Sequence, residues 1–500
     1  MKKITSVLCL LLSIMMFVAS GCAPAATDSD LAVKPDVIVV GGGMAGLTAA
    51  VRASELGAKV VLFEKLRLGG TGYMAGGSLS GAGYEIQKAA GIEDSPEKFF
   101  QDFIDMGGGL ENLNEEIARK HAQESGPAID WIQNYVEMSD KVDHGSYLPM
   151  NTMRVTYTAG GSAAGNASYF VEGLTAKLDE YVQKGTAQIL LETEVEDIIL
   201  DDKGDVIGVI ADGKEYHAPS IIIATGGYGY SEKWLKEFAF TNVTSFAITT
   251  ATGSGYDFAR KAGGIFDNMD YCAAYAGSIP VQGFQAALSA NVAYEGVVWL
   301  NTAGERVMNE PIANSGDRDR IWRTTDQNII YVLVSENMLK DDVAFFRPMM
   351  GLNATYENMP TMNELIEKGL AFKADSFEDL ANQLNIPGLV ATMNKYNEDA
   401  KAGKDTVFGR TDGLIPFEGT IYAVKTVPYI LMTQGGPRID ADGQLVREDG
   451  SKIGNVYLAG EIIGSANVAG HSTIGGIGNG LCITWGKISA ESAVKNAGVN

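Results

Sequence analysis

Three glycines, Gly41, Gly43 and Gly46, followed at a distance by the carboxylate of Glu64, have the types and spacing to do chemistry. The pattern G-x-G-x-x-G suits the binding of a dinucleotide pyrophosphate. In that reading Gly41 makes a tight turn, Gly43 lets backbone reach the pyrophosphate, and Gly46 allows close helix–strand packing. Met44 and Ala45 lie between them at a helix start, where the N-terminus stabilises phosphate charge. Glu64, with Lys65 beside it, is placed to accept hydrogen bonds from the adenosine ribose hydroxyls.

The elements that must hold these residues can be read on either side. Asp36–Val40 is a β-branched apolar run, the mark of a buried parallel strand. A helical pattern covers Leu47–Leu56 and closes at Gly57; a second buried strand, Lys59–Phe63, ends at Glu64. Strand, glycine turn, helix, strand and acid thus follow in the order that the pyrophosphate reading requires. A second glycine-rich stretch, Leu68–Ser78, comes directly after the acid and contains Gly70, Thr71, Ala75, Gly76, Gly77 and Ser78. A nicotinamide domain would normally proceed to a helix here. A glycine-lined path running past the pyrophosphate suits a flavin, whose ring system lies further along.

At this point the chain resembles the flavoprotein-subunit family of fumarate reductases, which includes urocanate reductases and ketosteroid dehydrogenases. Ser220–Tyr228 looks like the family's strand ending in A-T-G-G-[FY], and Thr302–Glu310 like its G-[KE]-R-F-[VM]-N-E segment. Val456–Ile462 looks like its second flavin strand, where the glutamate, here Glu461 after Gly460, meets the ribityl chain. Ile474–Leu481 leads into a terminal helix where the family has L-G-G-N-[AS]-[IL], with backbone donors at the flavin pyrimidine. Two extra residues, Ile477 and Gly478, shift the register there.

The resemblance runs from about Lys34 to the C-terminus. It implies FAD, held non-covalently by the glycine turn, Glu64, Lys65 and the second glycine path, together with Val195, Ala224, Thr225, Gly226, Gly460, Glu461, Asn479, Gly480 and Leu481. It also implies an α/β fold: a Rossmann-like FAD-binding domain of the glutathione-reductase type, split in sequence by an inserted α+β capping domain. The expected boundaries are 34–242 and 428–500 for the two parts of the FAD domain and 243–427 for the cap. Ser95–Glu137 reads as helical, with starts at Ser95-Pro96-Glu97 and Glu111-Asn112. Glu192–Asp212 reads as a hairpin.

Fumarate reductases hold their dicarboxylate with two histidines and an arginine, and a second arginine delivers the proton. Aligned on the family's segments, the histidines fall on Ile248 and Met432, the binding arginine on Thr473 and the catalytic arginine on Asn314. A buried dicarboxylate left unpaired costs several kcal/mol, so fumarate is a poor fit. Apolar replacements, with Tyr228, Tyr230, Tyr271, Tyr275 and Tyr294 in nearby stretches, favour a flatter, less charged acceptor: an enone, a steroid-like ketone or an aryl acrylate. The flavin chemistry expected is hydride transfer from N5 to an activated C=C bond, or the reverse desaturation.

The carbanion or enolate left by hydride delivery needs an acid. Arg318, with Arg320 close by, is the leading candidate; the rival reading of Gly316–Arg320 is a solvated charge cluster. Tyr271, Tyr275 and Tyr294 are alternative donors. His471 either contacts substrate or flavin or acts behind a residue that does. Four scattered histidines and few cysteines make no metal site. No C-x-x-C-H haem attachment and no covalent-FMN segment is present. A separate electron donor is therefore expected: a flavinylated protein, a cytochrome or a quinol-linked component.

Composition narrows the remainder. The 500 residues include 60 glycines, above the usual share of about 7 %. A net charge of −23 argues against a nucleic-acid partner, and 46 % hydrophobic residues supply a large core. Lys2 and Lys3 followed by the apolar run Ile4–Ala19 form a secretory signal. The signal ends in Ala19-Ser20-Gly21-Cys22, which resembles a bacterial lipobox, although Ala19 replaces the usual Leu. The expectation is a signal over 1–22, a tether over 23–33, and a lipid on Cys22 anchoring the protein to the extracytoplasmic face of the membrane. An ordinary cleavable signal is the alternative. An external organic acceptor in anaerobic respiration fits this placement.

Overall fold

The computed structural model describes residues 31–145, 150–160, 165–238, 243–271, 275–278, 286–288, 296–310, 328–339, 346–348, 361–472 and 474–499. In chain order, the elements that position the site are β1 (Val37–Val40), α1 (Met44–Glu55), β2 (Val60–Phe63), α2 (Pro96–Gly107), α3 (Glu115–Ile132), β3 (Ala187–Leu190), β4 (Ser220–Ile223), β5 (Val298–Leu300), β6 (Ile330–Ser335), β7 (Ile421–Ile430), β8 (Gln444–Val446), β9 (Lys452–Leu458) and α4 (Ile477–Asn496).

β1 and β4 are runs of Val and Ile, and every residue in both is buried, as in strands covered on two faces. They lie at the centre of a six-stranded sheet ordered β8–β9–β4–β1–β2–β3. All neighbours are parallel except β8, which runs antiparallel to β9. Val40 pairs with Phe63 on one side and Ile223 on the other; Phe63 pairs with Leu190, and Ile223 with Leu458. Five strands therefore finish level at their carboxyl ends. Chain order diverges on the two sides of β1, and open α/β sheets bind ligands in the crevice at that point.

α4 packs along α1. A Cβ at Gly486 would come within 2.7 Å of Thr48 Cβ, so the small residue sets how near the two helices lie. β7 is shared between two cores. Ile421, Ala423 and Val424 pack with Trp299, Leu333, Leu389, Met393 and Tyr396, whereas Ile430 at the far end of β7 belongs to the core of the six-stranded sheet. β6 pairs antiparallel with β7, and β5 with β6. The architecture is the expected one, a Rossmann-like parallel sheet interrupted in sequence by an α+β layer.

The helices expected over 95–137 are α2 and α3, and the hairpin is Val195–Leu200 against Val206–Ala211. Ser95 caps α2, its hydroxyl accepting from Lys98 N at 3.3 Å. The second start differs from the reading at Glu111-Asn112. Those residues form a single 3-10 turn, and Asn114 caps α3 by accepting from Glu116 N at 3.1 Å.

Two buried charge clusters stabilise the layers. Arg154 contacts Asp94 at 2.9 Å and Asp102 at 2.7 Å, all fully or almost fully buried. In the second core Glu310 contacts Arg306 at 3.0 Å and Arg410 at 3.1 Å, and Arg306 also contacts Asp405 at 2.9 Å.

Candidate functional site

The glycine turn leaves β1 at its carboxyl end and enters α1. Gly41 N donates to Phe63 O at 2.8 Å, and Ala224 N donates to Val40 O at 2.8 Å, tying the turn to both neighbouring strands. Gly41 has φ of +104°, and a Cβ on it would lie 2.5 Å from Ala224 O. Gly43 is the N-cap of α1 with ordinary backbone angles, and apart from its chain neighbours no described residue comes within 4 Å of where its Cβ would be. No side chain caps α1, and its first turn carries no acidic residue. Ala45 of the first turn bonds Cys482 through its backbone, and the open space at Gly43 beside this uncapped helix start is a site for an anion.

Glu64 uses one carboxylate oxygen for Gly42 N at 2.7 Å and the other for Leu66 N at 2.9 Å. It fixes the turn, and each oxygen keeps a second lone pair with which it could accept from a ligand hydroxyl. Lys65 Nζ reaches Thr252 Oγ1 at 3.3 Å and Glu194 at 3.7 Å. Glu64→Ala is expected to weaken dinucleotide retention about tenfold or more, through two lost backbone bonds and the ribose acceptor. The ratio of cofactor absorbance to protein after desalting measures it, and an unchanged ratio would remove Glu64 from the site.

The second glycine path folds back over the turn. Gly69 N donates to Gly42 O at 2.8 Å. Gly76–Ser78 are fastened to the far end of the cleft by Asn479, whose Nδ2 donates to Gly76 O at 2.7 Å and to Ser78 O at 2.8 Å. Asn479 lies in the first turn of α4, which also has neither a side-chain cap nor an acidic residue. Two uncapped helix N-termini thus open on one cleft.

Across the cleft, Thr433 N and Oγ1 donate to Glu461 Oε1 at 2.8 and 3.0 Å. Burial pushes the Glu461 carboxyl up, opposed by these two bonds. A Cβ at Gly227 would collide with both Glu461 and Thr433. Thr225 Oγ1 is buried without a partner beside Ala224 and Gly226, an acceptor or donor held in reserve. Val195 begins its strand as a buried residue. These groups, ranged along the sheet edge between uncapped helices, fit an extended dinucleotide carrying a pyrophosphate.

The structure brings two acid candidates together. Tyr271 and His471 stack face to face, with ring centroids 4.1 Å apart and planes 11° from parallel. His471 Nε2 is 3.2 Å from Asn268 Oδ1, and Asn268 Nδ2 donates to Asn467 Oδ1 at 2.9 Å. His471 N donates to Gly107 O at 2.9 Å. His471 stands on the run that leads from Glu461 to α4, and Tyr271 reaches it from the segment after Asn268. Tyr228 belongs to a different group: it is fully buried, edge-on to Tyr256 at 5.0 Å, and so is core rather than cleft wall. Tyr230 is exposed. Arg318, Arg320, Tyr294, Asn314, Thr473, Cys22 and Cys272 lie outside the described residues, as does the Tyr275 side chain.

Met432, delivered by the end of β7, comes to the first turn of α4. Its Cε and Sδ lie 3.7 and 3.8 Å from the position of a Cβ on Gly478. Ile248 is half-buried. Sequence reading missed Asn268, Asn467 and Thr433 because their partners are far away in the chain and have no spacing signature.

A family model described as an FAD binding domain matches residues 36–478. The fumarate reductase (cytochrome) of Shewanella frigidimarina is 30 % identical over 482 residues, covering 92 % of this chain and 77 % of its own. A urocanate reductase of Eggerthella lenta is 26 % identical over 445 residues, covering 86 % and 70 %. Among solved structures, the 3-ketosteroid Δ1-dehydrogenase of Sterolibacterium denitrificans, with 1,4-androstadiene-3,17-dione, superposes with a TM-score of 0.75. It is 19 % identical and covers 92 % of this chain and 99 % of that one, which is a likeness of fold.

Proposed function

We propose a substrate class for this chain from one premise: it belongs to the FAD-binding family of fumarate-reductase flavoproteins, and it is an FAD-dependent oxidoreductase acting on C=C bonds. The proposed acceptor is a flat, weakly charged molecule with an activated double bond, such as an enone, a steroid-like ketone or an aryl acrylate, rather than fumarate. The position of Met432 carries this reading. A thioether stands against the first turn of α4 where a dicarboxylate would require a charged donor, and Ile248 replaces the other histidine. Neither side chain can pair a buried carboxylate.

FAD bound in the cleft would supply the hydride chemistry that reduction of an activated C=C bond requires. The chain's own residues do the rest. The first turn of α1 holds the pyrophosphate charge, Glu64 holds the ribose, and Asn479 fixes the second glycine path beside α4. Met432 and Ile248 keep water and anions away from the acceptor. Arg318 is the proposed proton donor to the enolate. Tyr271, held against His471 and through it by Asn268, is the rival donor, with Tyr294 and Arg320 behind them. The inserted layer is proposed to close over the acceptor. The reverse desaturation uses the same geometry, and the potential of the candidate couple decides the direction.

The signal-like Lys2–Cys22 segment supports an extracytoplasmic protein, lipid-anchored through Cys22 and supplied by a separate donor in anaerobic respiration.

The test is anaerobic reoxidation of the dithionite-reduced holoprotein by enones, cinnamates, steroids and fumarate, with Arg318→Ala and Tyr271→Phe alongside. Faster reoxidation by a weakly charged acceptor than by fumarate is expected, and the reverse order would overturn the substrate reading. Arg318→Ala should lose at least 100-fold in turnover with FAD retained. Near-normal turnover in that variant, with loss in Tyr271→Phe, would transfer the role to Tyr271.

A further inference from the structure

His121 has no part in the chemistry above, and its placement is costly. It sits in the middle of α3 with none of its surface exposed, and neither ring nitrogen has a hydrogen-bond partner among the described residues. Phe99 and Phe103 of α2 enclose it, with ring centroids 6.3 and 6.0 Å away. Its third neighbour is Gly480 in the first turn of α4. A Cβ at Gly480 would lie 3.4 and 3.5 Å from His121 Cε1 and Nε2, so the absence of a side chain there is what admits the ring edge. A leucine would fill the same pocket without leaving two buried polar atoms unsatisfied, a cost of about 1–3 kcal/mol each. Packing therefore gives no reason for an imidazole.

The charges carried by the surrounding helices are engaged with one another. Lys120 pairs with Glu124, Lys487 with Glu124 and Glu491, and Asp102 with Arg154, whose guanidinium lies 4.6 Å from the Phe99 ring. Burial alone acts on the ring and pushes its pKa down to about 3. In the resting protein it is a neutral base buried between α2, α3 and the first turn of α4.

We propose that His121 is a redox-linked proton site: it is neutral while the cofactor is oxidised and takes up a proton when two electrons reach the cofactor. This rests on the placement of FAD with its pyrimidine end at the first turn of α4, beside Gly480. Two electrons and one proton leave the reduced cofactor with one negative charge. A second proton, taken from solvent, forms an N–H bond on the vacant nitrogen of His121 and balances that charge within the same apolar wall. An uncompensated anion raises the basicity of a neighbouring imidazole. The wall thus stabilises the reduced state and couples its formation to pH.

The experiment uses the FAD-loaded protein, labelled with ¹⁵N-histidine and compared before and after reduction by dithionite. The His121 signals are identified by their loss in His121→Phe, or in His121→Gln if the phenylalanine variant does not fold. The expected result is a ring with one protonated nitrogen in the oxidised protein and two in the reduced protein. The midpoint potential should fall more steeply with pH than in the variant, by one extra proton per two electrons. That is tenfold in the equilibrium constant per pH unit, or ~30 mV. The comparison is made where the reduced spectrum shows an anionic cofactor in both proteins. A ring that stays neutral on reduction, with equal slopes, would overturn the proposal and leave His121 a packing residue. Loss of flavin from the wild-type protein would instead count against the placement of FAD.

Discussion

Gly46→Ala is expected to purify as a colourless protein. A Cβ at Gly46 would lie 3.0 Å from the carbonyl carbon of Gly41 and closer still to its oxygen, and both are backbone atoms with no rotamer to change. The turn cannot retreat, because Gly41 already stands at φ +104° with its own missing Cβ aimed at Ala224 O. The first turn of α1 must therefore move away from β1, taking its uncapped N–H groups with it. The loss combines the helix-terminus contribution of about 0.5–2 kcal/mol with one or two charge-assisted hydrogen bonds of about 1.5–3 kcal/mol each. Together these come to at least about 2 kcal/mol, or about 30-fold or more in affinity. Titrating the apoprotein with FAD measures the loss, and wild-type flavin content would sink the assignment of the turn.

Gly43→Ala is the matched control. Its backbone angles suit any residue, and apart from its chain neighbours no described residue comes within 4 Å of the new Cβ. That variant should melt as the wild type does when both lack flavin. Any weakening of FAD binding must then come from the methyl group meeting the ligand itself. Comparison of the two variants separates a damaged fold from a filled binding space.

Contrast between these glycines and the charged clusters shows which parts of the molecule are legible in its sequence. The β1–turn–α1–β2 unit is local: within residues 37–64 the β-branched runs, glycines and terminal acid all serve one ligand, so their spacing carries the information. The level ends of the five strands follow from that unit once β4 and β9 are placed beside it. Arg154 offers no comparable signal. Its partners Asp94 and Asp102 lie 60 and 52 residues away, and each reads alone as an ordinary surface charge. Tyr228 misleads for the same reason. A tyrosine two residues beyond a flavin-strand glycine looks like a cleft wall, yet Tyr256 and Trp234 enclose it completely. Tyr271 and His471 were readable as candidates, but their stacking, 200 residues apart in sequence, was not.

Glu310 makes the same point with a larger expected effect. The segment Thr302–Glu310 is recognisable as a motif, but its glutamate serves the second core. The carboxylate accepts from Arg306 Nη2 at 3.0 Å, Arg410 Nη1 at 3.1 Å and Trp299 N at 3.1 Å, and it is fully buried. The four-charge group Arg306, Arg410, Glu310 and Asp405 is neutral as a set. Glu310→Gln removes an anion in contact with both arginines. Arg306 keeps Asp405, and Arg410 keeps the carbonyls of Val297, Asp412 and Gly413 but loses this carboxylate. Breaking a buried ion pair by removing one member costs about 3–5 kcal/mol, comparable with the whole stability of many domains. Glu310→Gln should therefore lower the unfolding temperature of the second core and open it to proteolysis, while the flavin cleft stays filled. The double variant Glu310→Gln, Arg410→Met restores neutrality, because the remaining Arg306–Asp405 pair balances. It should recover most of the loss, since removing a whole buried pair costs far less than breaking one. A single variant that costs under about 1 kcal/mol would mean that water reaches the cluster and screens it. A double variant no better than the single would mean that the cost lies in lost packing around Trp299 and not in charge.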